Sequence, residues 1–143
     1  MLHTSNWNRV FLAWLLALAS TLGALFFSEV MHIEPCVLCW YQRIAMFPLV
    51  LILGTGLLYA DGSAIRYALP LSLAGTLFAL YHNLIYAGLI PQDLQPCGQG
   101  SSSCAQIDLQ LFGFITLPLL SLLAFAAINI LLLLTRKSLN REK

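Results

Sequence analysis

Two thiols three residues apart are the residues most able to do chemistry in this sequence. They sit in the stretch Pro35-Cys36-Val37-Leu38-Cys39-Trp40-Tyr41-Gln42-Arg43, directly ahead of a long apolar run. If a helix starts here, Cys36 and Cys39 share one face, close enough to bridge across i, i+3. Pro35 fits the first helical position, where its missing N–H costs nothing. The thiols then lie at the positive end of the helix dipole, with Arg43 one turn below Cys39 on the same face. Both influences favour thiolate over thiol and so favour exchange chemistry. The pair reads as a redox dithiol and not as a staple.

The elements that position this pair follow from composition. The chain has 143 residues, 59% hydrophobic and 9% charged, far too apolar for an ordinary soluble domain. A bilayer core needs roughly 20 apolar residues per spanning helix. Four stretches qualify, about Val10 to Phe27, Ile44 to Ala60, Tyr67 to Gly88 and Leu109 to Thr135, and they use almost the whole chain. The expected fold is an all-α membrane protein, a four-transmembrane-helix bundle forming a single domain over residues 1–143. Ala17-Leu18-Ala19 has the look of a signal-peptidase site, but the apolar run continues past it to Phe27, which favours a span. Small residues at Ala13/Ala17, Ala19/Gly23 and Ser20/Ala24 recur at four-residue spacing, as expected of helices that pack closely in lipid.

Charge placement gives an orientation. Arg9 precedes the first span, Arg66 lies between the second and third, and Arg136, Lys137, Arg141 and Lys143 follow the fourth. The other two joins hold Glu29, Glu34, Asp93 and Asp108 and no basic residue before Arg43 or Arg136 respectively. The positive-inside rule sets both termini in the cytoplasm and makes the two cysteine-bearing loops outward. All four cysteines then face the oxidising side, where an even count suits disulfide chemistry. A net charge of +1 says little alone, and no basic patch with interleaved aromatics indicates nucleic acid.

Local signals fill in the joins. Pro48 invites a kink in the second helix, Asp61-Gly62-Ser63 makes the inner turn, and Pro70 falls in the first turn of the third helix. Gly88, Pro91 and Pro96 end that helix and open the longest loop, and Asp108 is a candidate cap for the fourth. The loop carries Cys97-Gly98-Gln99-Gly100-Ser101-Ser102-Ser103-Cys104, a second pair in a flexible Gly/Ser setting. Tyr41, Tyr81 and Tyr86 suit an interfacial belt.

Three readings of the four cysteines compete. Structural disulfides are the ordinary one, but a bridge across three residues closes almost no loop and constrains the unfolded chain very little. A four-cysteine zinc site is the second, since C-x-x-C is common ligand spacing, although the second pair is looser than usual. Covalent haem is disfavoured because Trp40 and not histidine follows Cys39. A thiol–disulfide relay is the third and the best supported. A relay needs an electron acceptor, and the sequence has no dinucleotide glycine motif or soluble flavin domain; an acceptor dissolved in the bilayer, a quinone, meets the constraint. Arg43 and His82, the latter about one and a half turns below Gly88 on the third helix, lie at comparable depth and could stabilise such an acceptor as it gains electron density. The plainer roles are an interfacial anchor for Arg43 and an interhelical polar contact for His82.

These residues resemble the DsbB/BdbC disulfide-bond formation proteins, membrane thiol:quinone oxidoreductases. The likeness covers the whole chain, and C-V-L-C-W-Y-Q-R is its specific part. The resemblance implies that Cys97 receives attack from a reduced thioredoxin-fold thiol oxidase (DsbA- or BdbD-like) and that Cys104 exchanges with Cys36. It further implies that Cys39 is the thiolate facing a quinone, ubiquinone or menaquinone, with Arg43 and His82 on the quinone side. The implied location is the bacterial cytoplasmic (inner) membrane, multi-pass, with the active loops facing the periplasm or cell exterior. Only six residues separate Cys97 from Cys104, whereas the enterobacterial form has a long segment with an interfacial helix, so the likeness is to the short BdbC-type branch. Vitamin K epoxide reductase is the nearest alternative, but there the C-x-x-C sits late in the chain. A non-enzymatic scaffold or zinc-binding protein is the alternative outside redox chemistry.

Overall fold

The computed structural model describes residues 4–32, 35–91 and 116–141. Four helices account for nearly all of them: α1 Thr4–Leu25, α2 Val37–Leu58, α3 Ala64–Tyr86 and α4 Leu117–Arg141. No strand occurs among the described residues. The helices are 22, 22, 23 and 25 residues long, which at about 1.5 Å per residue matches a hydrocarbon core of about 30 Å. All four are long and apolar enough to cross a membrane. Over its described residues the chain is therefore an all-α membrane protein of four helices.

α1 packs against α2 and α4, and α3 packs against the same two, so successive helices run round the sides of a square. The pairing is antiparallel throughout. Trp14 of α1 donates from Nε1 to the Val50 carbonyl of α2 at 3.1 Å, while Ala24, further along α1, meets Arg43, earlier in α2. Asn83 of α3 donates to the Pro118 carbonyl at 2.7 Å, and Asn129, a further three turns along α4, donates to Thr76 Oγ1, also at 2.7 Å.

In lipid the helices gain little from hiding apolar surface from one another, so close packing and interhelical hydrogen bonds hold the bundle. Ala13 and Ala17 are fully buried and let α1 lie near its neighbours. The centre holds Leu49 and Leu53 of α2, Ala68 of α3 and Phe125, Ile128 and Leu132 of α4, none of them more than 1% exposed. Gly75 of α3 lies against the ring of Phe125 so closely that a Cβ there would overlap Cε1 and Cζ. The exposed residues are also apolar, Leu51, Ile44, Leu58, Leu77 and Ile130 among them, as expected of a bundle that faces hydrocarbon.

Several local expectations shift. α2 begins at Val37 with Cys36 as its cap, so Pro35 precedes the cap and does not occupy the first helical position. α3 begins at Ala64, which sets Pro70 inside the helix and beyond its first turn. α4 begins at Leu117, where Thr116 Oγ1 accepts from the Leu119 N–H at 3.4 Å; Thr116 is the cap, not Asp108, which lies outside the described residues. Pro118 then falls in the first turn, where no helical acceptor awaits its missing N–H. In the turn between α2 and α3 Asp61 Oδ1 accepts from the Ser63 N–H at 2.8 Å, the self-bonded turn that Asp favours. Gly88 closes α3 with φ of 72°, a left-handed conformation that glycine adopts without strain.

α1 ends unusually. Phe26–Val30 continue it as one turn of π-helix, with Met31 N–H donating to the Phe26 carbonyl at 3.2 Å. Such turns leave carbonyls free for other donors and recur at functional sites. This one adjoins the cysteine end of the bundle.

Candidate functional site

The start of α2 builds the dithiol. Cys36 takes an extended conformation (φ −66°, ψ 166°), and its Sγ accepts from the Cys39 N–H at 3.3 Å, a sulfur standing where a Ser or Asp oxygen usually caps. That contact draws the two side chains together. Their sulfurs are 2.7 Å apart, beyond the bond of about 2.05 Å in a disulfide and within easy reach of it. Cys36 is 1% exposed and packs with Leu38, Ile85 and Tyr81, whereas Cys39 is half-buried. Cys36 precedes the spanning segment, and its thiol is held below the ordinary range. The hydrogen bond shared with Cys39 is the chief cause; burial opposes it, and His82 adds to it.

α3 brings His82 to the pair. Its Nε2 is 3.8 Å from Cys36 Sγ, and the ring is only 2% exposed. Its other nitrogen, Nδ1, meets Gln42 Nε2 at 3.2 Å. An amide N–H can only donate, so in this arrangement Nδ1 accepts and the imidazole proton sits on Nε2, pointing at the Cys36 sulfur. Gln42 is buried as well, so α2 supplies both the thiols and the group that orients the histidine beside them.

Arg43 turns toward α1 and does not reach outward to the interface. Its Nη2 donates to the Ala24 carbonyl at 2.8 Å and its Nη1 to Ser28 Oγ at 3.3 Å, with the guanidinium 5.6 Å from the centre of the Trp40 ring. Ser28 belongs to the π-helical turn and itself donates to the carbonyls of Ala24 and Leu25. The irregular end of α1 thus provides the polar surface that Arg43 grips.

Beside these groups a cavity of about 530 Å³ opens between α1, α2 and α4, within the range of small-molecule pockets. Ala19, Gly23 and Phe27 of α1 and Pro118, Ser121 and Phe125 of α4 form much of its walls. Cys39, Gln42, Arg43 and His82 border it as well, and Cys36 does not. Among the described residues that line it, Arg43 is the only one with a full charge. An elongated apolar molecule with one polar end fits this surface, with the polar end near Cys39 and the guanidinium.

Of the sequence-predicted residues, Cys36, Cys39, Arg43 and His82 gather at one end of the bundle. Cys97 and Cys104 lie outside the described residues. Sequence reasoning gave no role to Gln42 or Ser28. An amide beside Arg43 in a largely apolar helix, one turn from Cys39, was an available signal for the first. Nothing marked Ser28 or the Ala24 carbonyl.

Fold and site together define a four-helix membrane protein with a dithiol at the mouth of an apolar cavity. Residues 6–135 match the family described as "Disulfide bond formation protein DsbB". A "Probable disulfide formation protein" of Metapseudomonas resinovorans is 51% identical over 132 residues, which is 92% of each chain. The "SPbeta prophage-derived disulfide bond formation protein B" of Bacillus subtilis is 45% identical over 117 residues, 82% of this chain and 78% of its own. A further "Probable disulfide formation protein", from Deinococcus radiodurans, is 41% identical over 133 residues, covering 87% and 86% respectively. No solved structure matches. The chain belongs to the DsbB family of disulfide bond formation proteins, oxidoreductases that act in making disulfides.

Proposed function

We infer that this protein is a membrane thiol:quinone oxidoreductase that reoxidises a thioredoxin-fold thiol oxidase of the DsbA or BdbD kind. Electrons enter at Cys97 and Cys104, pass to Cys36 and Cys39, and leave to a quinone of the bilayer. The observation that carries this reading is the sulfur of Cys39 at the wall of an apolar cavity that it shares with Arg43 and His82. A bound quinone would supply a sink for two electrons and two protons. The residues present suit one: the cavity is long and apolar, and its polar groups cluster at one end.

The chain's own steps follow from exchange chemistry. A partner thiolate attacks the Cys97–Cys104 disulfide, and a second thiolate releases the partner as its disulfide. The reduced outer pair then attacks the Cys36–Cys39 disulfide, leaving two thiols at the head of α2. Cys36 is buried, so exchange with Cys104 requires the segment before α2 to open. Reforming the Cys36–Cys39 bond releases two electrons and two protons, and Cys39 is the sulfur at the cavity. Arg43 holds a positive charge where negative charge develops, already oriented by α1. His82 keeps a proton on Nε2 beside Cys36, with Gln42 fixing the ring.

The basic residues at Arg9, Arg66 and after α4 support cytoplasmic termini and outward cysteine loops in a bacterial inner membrane. Quinone reduction by the purified protein, started with a reduced DsbA-like oxidase, tests the scheme. Catalytic quinone loss that disappears in Cys36→Ser and in Cys97→Ser is the expected result. Absence of turnover with both ubiquinone and menaquinone analogues refutes it.

A further inference from the structure

The reduced site has a property that electron transfer does not require: two sulfurs and an imidazole nitrogen converge. Cys36 Sγ, Cys39 Sγ and His82 Nε2 all lie within 4.8 Å of one another. We propose that the reduced Cys36/Cys39 pair and His82 form a three-ligand site for a thiophilic divalent cation, zinc above all, that holds the dithiol out of its redox cycle.

Geometry is the first argument. Tetrahedral zinc, with Zn–S of about 2.3 Å and Zn–N of about 2.05 Å, sets sulfur and nitrogen about 3.6 Å apart and two sulfurs about 3.8 Å apart. Cys36 Sγ and His82 Nε2 already stand at 3.8 Å. The sulfurs at 2.7 Å must spread by about 1 Å, which a rotation of half-buried Cys39 about its Cα–Cβ bond supplies. Two of the ligands come from a C-x-x-C at a helix start and the third from a different helix, so the site is held by α2 and α3 together.

The support around the histidine is the second argument. A metal-bound imidazole donates its other N–H to an acceptor that fixes the ring. Gln42 stands 3.2 Å from His82 Nδ1. Turning its amide over presents Oε1 instead of Nε2, which accepts from Nδ1–H while Nε2 binds the ion. One buried side chain therefore serves both forms of the site.

Charge is the third. Two thiols exchange two protons for one divalent ion, and a neutral imidazole completes the set. The loaded site is neutral, which a largely buried position tolerates. The fourth coordination position opens toward the cavity, because Cys39 and His82 both border it. No electrons move in this step. The disulfide form offers no thiolates and binds no ion, so zinc selects the reduced protein and stands between Cys39 and its acceptor. That inhibitory consequence rests on the relay reading, whereas the binding itself does not.

The test uses the full chain in detergent, reduced, desalted anaerobically and titrated with Zn²⁺ against a chromophoric chelator. One zinc per reduced chain is expected, with none after the pair is oxidised. His82→Ala and the closer-sized His82→Gln should each weaken binding at least about tenfold, and Gln42→Leu by about 10- to 100-fold. Cys39→Ser should abolish it. Binding should survive in the Cys97→Ser/Cys104→Ser double variant; its loss there would instead indicate a four-cysteine site and overturn the proposal. Unchanged affinity in both His82 variants would overturn it too. Zinc binding by a protein whose zinc-free form shows no quinone turnover would keep this site and remove the relay, and turnover of the zinc-free form without zinc binding would do the reverse.

Discussion

Arg43 is the residue whose two roles, gripping α1 and facing the cavity, can be separated by measurement. Replacing it with methionine keeps most of the aliphatic volume and removes the guanidinium. Two hydrogen bonds to α1 are lost, at 2.8 and 3.3 Å, together with the contact to Trp40. A hydrogen bond to a charged group contributes about 1.5–3 kcal/mol when well made. Only the shorter bond reaches that standard, and the side chain is half-buried, so a stability loss of about 1–3 kcal/mol is expected in all. The cavity role predicts a separate effect. If the charge stabilises an electron-accepting oxygen near Cys39, Arg43→Met should raise KM for quinone at least about tenfold, equivalent to about 1.4 kcal/mol. Both disulfides should still form, and exchange with the partner oxidase should be unaffected. Ser28→Ala is the control. It removes the longer bond, leaves the one to Ala24, and should cost under about 1 kcal/mol with a change in KM below about threefold. The assays are steady-state quinone reduction in detergent and denaturant unfolding of the same preparations. An Arg43→Met protein that loses stability as reckoned but keeps its quinone KM within twofold would refute the cavity role and leave Arg43 as a tie between helices.

Three further outcomes are expected. Cys39→Ser should abolish quinone reduction while leaving the protein able to exchange with its partner through Cys97 and Cys104; full activity in that variant would break the electron path. Gly75→Ala drives a methyl into the Phe125 ring and should destabilise the bundle by about 1–3 kcal/mol, read from thermal or denaturant unfolding, and the double change Gly75→Ala/Phe125→Leu should recover part of the loss. Asn129 donates to Thr76 Oγ1 at 2.7 Å and, more weakly, to the Ser72 carbonyl at 3.4 Å, but leaves its Oδ1 without a hydrogen-bond partner. Asn129→Leu should therefore cost less than about 1 kcal/mol in the same unfolding assay, since interhelical bonds in membranes contribute about 0.6 kcal/mol on average.

Much of the architecture was legible because bilayer length and backbone satisfaction leave few choices. Each of the four apolar stretches holds one helix; the start of the fourth, residues 109–115, lies outside the described residues. The boundaries moved where side chains near the water interface are mixed. The apolar stretch of the second span begins at Ile44, while the helix entered through the C-x-x-C starts at Val37, two residues after the Pro35 expected in its first position, because Trp40, Tyr41 and Gln42 continue the helix without being apolar enough to count as core. That Cys36 and Cys39 meet follows from their spacing, and that His82 and Arg43 lie near them follows from their depth on α3 and α2. The small-residue spacing in α1 was read as packing, which holds for Ala13 and Ala17. Ala19, Ser20, Gly23 and Ala24 instead leave room that the cavity fills. What could not be read was main-chain geometry. The π-helical turn and the Ala24 carbonyl that receives Arg43 follow from where α1 and α2 meet, and no residue type announces a spare carbonyl.

The proposed relay sets a problem for its dithiol: the thiols must meet a protein partner in water and an acceptor in hydrocarbon. Setting the pair at the very start of a spanning helix resolves it by rotation. Cys36, as cap, belongs to the segment entering from the loop, while Cys39, three residues on, has turned far enough round α2 to border the cavity. The N–H of Cys39 bonding the sulfur of Cys36 keeps the two together while they face different neighbours. α1 completes the division of labour in one element. Its small residues open the apolar space beside Cys39, and its irregular end fixes the only full charge among the described residues of that wall. In the proposed relay, a longer side chain at Gly23 would thus act on the cavity side of the dithiol, leaving the Cys36 cap untouched. The reverse holds for changes before Cys36, so kinetics of the two half-reactions can be disturbed independently from opposite ends of four residues.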